Sequence, residues 1–184
     1  MSLFKSRREK QMWLYALAVL IAILSTMAEI PGLKRLAGNQ ELLTGLFIAG
    51  MFMISGAVLL HGLRSKPGKV EVAVWLGIIA VYMLLFLRLS VAAERGHLIE
   101  YSVLAILIHK ALRERARHVE TMTQPALIAM VIAVSIGLID EGLQYFIPNR
   151  VFDPLDMVIN TLAGSLAIIS TVVLMWVRKK FSKS

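Results

Sequence analysis

Apolar runs of membrane-crossing length alternate with short basic or mixed polar stretches along the whole chain. A helix rising about 1.5 Å per residue needs about twenty mostly apolar residues to cross ~30 Å of hydrocarbon. Met12 to Ile30 meets that need, with Lys5, Arg7, Arg8 and Lys10 before it and its polar members Ser25, Thr26 and Glu29 at the far end. Its apolar core is long for a secretory leader, so an anchor that stays in the membrane is expected. Leu42 to Leu60 predicts a second span, interrupted by Gly45, Gly50 and Ser55-Gly56, small residues that let a neighbouring helix approach closely. Val70 to Leu89 predicts a third, with Glu71 and Arg88 at ends from which they can snorkel to water.

The second half repeats the pattern with more polarity. His97 to Leu112 carries His97, Glu100 and Tyr101 in its first turns, and only Ser102 to Ile108 is nearly free of strong polarity, so hydropathy alone leaves this segment undecided. Gln124 to Phe146 is clearer: Pro125 suits a first helical turn, no charge occurs from Ala126 to Ile139, and Asp140, Glu141 and Gln144 follow. Pro148-Asn149 then signals a turn. Asp153-Pro154-Leu155-Asp156 reads as an N-cap, a proline at the first helical position and an acid in the first turn. The helix it opens runs to about Val177, before the basic tail of Arg178, Lys179, Lys180 and Lys183.

Charge parity decides the ambiguous segment. If all six segments span, one side receives the basic residues of the N-terminus, of Arg64 to Lys69, of Lys110 to Arg117 and of the tail, leaving only Lys34, Arg35, Arg88, Arg95 and Arg150 opposite. Such an excess marks cytoplasmic loops. Leaving His97 to Leu112 out of the membrane would place the Lys110 to Arg117 and C-terminal clusters outside. Six spans with both termini cytoplasmic are therefore predicted. The carboxylates show the reverse bias, with Glu29, Glu41, Glu94, Glu100, Asp140, Glu141, Asp153 and Asp156 on the outer half. Acids contribute little to topology, so this bias points to a local acidic site.

Composition fits the pattern. The 184 residues are 58% hydrophobic with a mean hydropathy of +0.72, well above the apolar share of about 45–50% usual in soluble domains. Without a linker or repeat, the prediction is a single all-α membrane domain over 1–184, with three N-terminal spans in 1–95 and a core of three in 96–177. The net charge of +8 sits in clusters between apolar runs rather than on an aromatic-basic surface, so no nucleic-acid partner is expected. Having no cysteine, the chain lacks thiolate nucleophiles and Cys-ligated zinc or iron–sulfur clusters.

Under this topology three polar sets meet at the outer ends of the fourth, fifth and sixth segments. His97, Glu100 and Tyr101 stand at i, i+3, i+4; Asp140 and Gln144 at i, i+4, with Glu141 beside them; Asp156, Asn160 and Gly164 form an i, i+4, i+8 stripe. Gly164 has room for a neighbouring helix or a ligand. A histidine among carboxylates could hold a divalent cation that activates water, or act directly as a base oriented by Glu100 or Asp140. Arg150, a planar fork of donors, suits a phosphate or carboxylate. The competing reading is an ion-pair network, Arg150 with Asp153 or Glu141 and His97 with Glu100, that only fixes helix ends. Asp153 is expected as a helix cap first, Tyr101 also reads as an interfacial aromatic and Gln144 as a helix–helix hydrogen bond. His61, His109 and His118 fall beside basic clusters and are expected to be solvated.

The blocks GHLIEY at 96–101, IDEGLQYFIPNR at 139–150 and DPLDMVINTLAG at 153–164 resemble the signature blocks of the VanZ-like family of bacterial membrane proteins. The resemblance covers roughly the second half of the chain and marks His97, Glu100, Tyr101, Asp140, Glu141, Gln144, Arg150, Asp153, Asp156, Asn160 and Gly164. It implies a cell-envelope protein of the inner membrane, in the best-known case lowering sensitivity to teicoplanin, which acts outside the membrane. Three functions remain open: a site for a lipophilic or lipid-linked anionic ligand, a metal- or His/carboxylate-dependent hydrolase or transferase acting on lipid headgroups, and a structural or partner protein. Cofactor and oligomeric state are unspecified. Because the chain is cysteine-free, single cysteines placed at Glu114 and Asn149 should label from opposite faces of the membrane, and labelling from one face would overturn the six-span arrangement.

Overall fold

The computed structural model describes residues 3–27, 67–89, 92–147 and 152–181. The expected second span, Leu42 to Leu60, and the Pro148-Asn149 turn with Arg150 lie outside the described residues. Within them the chain is all-α: α1 (Arg7–Met27), α2 (Lys69–Arg88), α3 (Ala92–Ala116), α4 (Pro125–Gln144) and α5 (Pro154–Phe181). Pro125 and Pro154 each open a helix, where the missing N–H costs nothing and the fixed φ is already helical.

Helix α3 is the hub. It packs against α1, α4 and α5; α4 and α5 pack on each other, and α2 lies against α5. This position explains the ambiguous hydropathy of its sequence. A helix surrounded by helices need not be apolar, because protein rather than lipid meets its polar groups. The helices long and apolar enough to cross a membrane among the described residues are α2, α4 and α5. Their exposed faces carry Leu76, Ile79, Leu84 and Leu87 on α2, Leu127, Val131 and Ile139 on α4, and Leu162, Ile169 and Trp176 on α5. So continuous an apolar exterior belongs against hydrocarbon.

The helix α3 also runs beyond the apolar segment, from Ala92 to Ala116 rather than His97 to Leu112. Glu94 in its first turn and Arg113 and Arg115 in its last complement the helix dipole, so charge extends the helix where apolarity ends. His109 departs from the expected solvated state. It lies on the α3 face shared by Tyr101, Ala105 and Leu112, and is 1% exposed. Glu71, expected to snorkel to water, is buried in the first turn of α2.

Contacts between helix ends establish which ends lie together. At one end Arg115 Nε pairs with Glu9 at 3.0 Å, Arg115 also donates to the Leu3 carbonyl at 2.7 Å, and the Ser6 hydroxyl donates to Glu114 at 3.2 Å. Arg113 reaches Met175 of α5 at the same end. The start of α1 and the last turns of α3 and α5, three of the basic clusters, therefore share one end of the bundle. At mid-depth the Ser102 hydroxyl donates to the Leu98 carbonyl at 2.7 Å, pairs with the Tyr82 hydroxyl at 3.1 Å, and lies 3.3 Å from the Ala163 carbonyl. One hydroxyl thus joins α2, α3 and α5.

Glu9 is completely buried: its carboxylate pairs with Arg115 and accepts the Lys5 N–H, and its backbone N–H donates to the Ser6 hydroxyl. Arg115→Ala would leave that carboxylate short of its counter-charge. Because Arg115 is partly exposed, the expected loss is about 2 kcal/mol, between the values for surface and buried pairs. Adding Glu9→Gln should recover part of it, measured by thermal unfolding in detergent; no loss in the single variant would show the latch to be dispensable.

Candidate functional site

The end of the bundle opposite the ionic latch collects the polar residues singled out by the sequence. α4 turns a face of small residues inward, Ala129, Ala133 and Gly137, and in the last turns of the same face places Asp140, Glu141 and Gln144. All three are buried, although they end an apolar helix whose opposite face, Leu138, Ile139 and Leu143, is exposed. α5 contributes Asp156 and Asn160 from its first two turns, and α3 contributes His97, Glu100 and Tyr101. The helices meet closely at this level because Gly137 has no side chain. A methyl at that position would lie 2.9 Å from Asn160 Cβ and 3.3 Å from Tyr101 Cε1.

Glu141, wholly buried, is committed to architecture. One oxygen accepts the Asp153 backbone N–H at 2.9 Å and the other accepts the Gln144 amide at 3.0 Å. The first bond ties the end of α4 to the residue before α5. Gln144 thus bonds within its own helix rather than between helices. Asp153 in turn accepts the Leu155 N–H through Oδ1 at 2.8 Å, satisfying a donor of the first turn of α5.

Around this support lie further buried polar groups. The imidazole of His97 sits 6.0 Å, centroid to centroid, from the ring of Tyr101 and within electrostatic reach of Glu100, Glu141 and Asp156. Asp140, 1% exposed, adjoins Tyr101, Glu100 and Glu141. Tyr101 itself is 0% exposed, so its ring is core rather than an interfacial aromatic. His97 Nδ1, Asp156 Oδ1 and both amide atoms of Asn160 are buried without a hydrogen bond among the described residues. Asn160 is the extreme case, at 1% exposed. Buried amides nearly always find partners, because desolvating one without compensation is costly.

The structure therefore brings His97, Glu100, Tyr101, Asp140, Glu141, Asp156 and Asn160 to one end of three packed helices. Arg150 lies outside the described residues. Gly164 sits one turn deeper than Asn160 and meets neighbouring helices: a methyl there would be 3.5 Å from Ala133 Cβ and 3.7 Å from Ala105 Cβ. Among the described residues no three His, Asp or Glu side chains form a metal-ligating group. Gly137 and Ser102 escaped the sequence reading. Gly137 lies three and four residues before Asp140 and Glu141, so it shares their face, a signal visible in the spacing.

Helices with apolar exteriors packed around a buried polar cluster at one end define a helical membrane protein. The chain belongs to the VanZ/LLP1 family, whose model matches residues 3–176 of the 184. That match takes in the N-terminal helices as well as the three sequence blocks. No curated protein and no solved structure matches the chain.

The two glycines separate packing from tolerance. Gly137→Ala should cost about 1–3 kcal/mol by overpacking against Asn160 and Tyr101. Gly164→Ala meets only ordinary van der Waals distances and should be neutral or mildly stabilising through helix propensity. Thermal unfolding of the two variants in one detergent measures both, and equal losses would contradict the close approach at Gly137.

Proposed function

We propose that this VanZ/LLP1 protein spans the bacterial cytoplasmic membrane six times with both termini inside, and holds at its outer face a site for a lipid-linked or lipophilic anionic envelope ligand. The observation that carries this reading is the unspent hydrogen-bonding capacity of Asn160, His97 Nδ1 and Asp156 Oδ1 at one end of a bundle whose exterior is apolar. Ionisable groups at membrane depth cost free energy, and a site that leaves such groups without bonds is built for a partner. The basic latch at the opposite end supports the orientation, because basic ends face the cytoplasm.

Recognition is favoured over turnover by the state of Glu141. Both of its oxygens hold the hairpin between α4 and α5, which fits a positioning carboxylate better than a nucleophile or base. In this reading Arg150, in the connection between α4 and α5, grips the anionic part of the ligand, while His97, Glu100, Asp140, Asp156 and Asn160 meet its polar remainder. Capturing a lipid-linked precursor, or a lipoglycopeptide such as teicoplanin, at the outer leaflet would lower drug sensitivity.

The test uses His97→Ala, Asp156→Asn and Arg150→Ala in a strain lacking the native protein. Each variant should fold with a thermal midpoint close to that of the unaltered protein, yet lose the lipid retained on purification and any teicoplanin tolerance the unaltered protein confers. If all three, together with Glu141→Gln, retain the same lipid and leave every envelope phenotype intact, the polar cluster is only structural.

A further inference from the structure

We infer that the innermost part of this site, at Asn160, seats a neutral group of the ligand that both donates and accepts hydrogen bonds, a hydroxyl or carboxamide, while the anionic part stays nearer the membrane surface. The inference rests on the proposed ligand site and specifies what reaches its deepest point.

Asn160 offers two N–H donors and a carbonyl acceptor, and uses none of them among the described residues although it is 1% exposed. Its surroundings are fixed. The Gly137 backbone approaches on one side so closely that a methyl there would stand 2.9 Å from Asn160 Cβ, and the fully buried Tyr101 ring lies against the same glycine. Gly164, one turn deeper, is met by Ala133 and Ala105. Small residues therefore close the inner side, and a ligand reaches Asn160 from the end of the bundle where His97 and Asp156 stand.

Charge selects what can arrive. Glu100, Glu141 and Asp156 lie within electrostatic reach of His97, Asp140 within reach of Glu100 and Glu141, and of the described site residues only His97 can carry a positive charge. A phosphate or carboxylate moving inward would meet carboxylates at close range and low dielectric. An ammonium would suit the carboxylates but leave the Asn160 N–H groups facing a cation. A hydroxyl or carboxamide satisfies both halves of the amide and can donate to a carboxylate as well. Sites that pair a buried donor–acceptor set with its complement reject analogues lacking that group far more strongly than apolar pockets reject a missing methylene.

The probes are phosphatidylcholine nanodiscs containing either monoglucosyl diacylglycerol, a neutral polyhydroxyl headgroup, or phosphatidic acid, a headgroup of charge without sugar. Lipid binding to the full chain is read by native mass spectrometry and by the shift in thermal midpoint. Asn160→Leu, close in size to asparagine, and Asn160→Ala, which relieves any crowding, should each weaken glucosyl-lipid binding about tenfold, the effect of losing one buried hydrogen bond. Phosphatidic acid binding should be unchanged by both variants and weakened by Arg150→Ala. Without added lipid, Asn160→Leu should unfold no earlier than the unaltered protein, because it removes polar groups that had no partner.

Glucosyl-lipid binding unchanged in both variants overturns the inference, as does phosphatidic acid being the lipid whose binding depends on Asn160. Binding of neither lipid overturns it too. The wider reading of the site stands or falls separately, on the retained lipid and the tolerance measured with His97, Asp156 and Arg150 variants. An earlier unfolding of both Asn160 variants with unaltered glucosyl-lipid affinity would make Asn160 a structural residue.

Discussion

The position of α3 inside the bundle is the constraint from which the rest follows. A helix carrying His97, Glu100, Tyr101, Ser102 and His109 is a poor neighbour for lipid, and a good one for other helices that answer its polar groups. α1, α4 and α5 enclose it, and each brings something different. α1 brings Glu9 to Arg115, α5 brings the Ala163 carbonyl and Asn160, and α4 brings a strip of small residues that lets its backbone come near. Released from α3, the outer helices would keep their apolar exteriors but lose what their inner faces are shaped to meet.

The two ends of this arrangement are treated differently. On the basic half of α3 the buried His109 Nδ1 has no hydrogen bond among the described residues, while at the basic end two ion pairs form, Glu9 with Arg115 and Glu114 with Arg117 at 2.9 Å. That pattern belongs to a mechanical fastening, in which a buried carboxylate is retained only because its counter-charge and hydrogen bonds come with it. At the other end Glu141 performs a similar office, holding the start of α5 to the end of α4 through the Asp153 backbone. Yet at the same end Asn160, His97 and Asp156 keep hydrogen-bonding groups that nothing among the described residues satisfies. One end is latched by ion pairs, and the other sets the Glu141 clasp beside buried polar groups that find no hydrogen bond among the described residues.

Much of the site was legible because helical spacing is local. His97 with Tyr101, Asp140 with Gln144, and Asp156 with Asn160 each share a face whatever surrounds the helix, so a polar set could be read from residue intervals alone. Charge parity added that three such sets belong to one end. The structure carries α3 and α5 with their basic ends together. What spacing does not convey is the division of labour within a set. Glu141 and Asp140 are adjacent in sequence, and only the position of the Asp153 N–H makes one of them the clasp of the hairpin.

By itself, the sequence determined the helical class, the membrane setting, the starts of α4 and α5 at their prolines, and the faces on which polar residues fall, because each depends on hydrophobicity, backbone geometry or charge over a few turns. The tertiary structure decided which helix sits at the centre. That choice buried His109 and Glu71 against expectation, turned Tyr101 from an interfacial residue into core, and made Gly137 rather than Gly164 the position of tightest approach. All of these depend on which faces meet between helices far apart in the chain, and no interval within one helix contains that information.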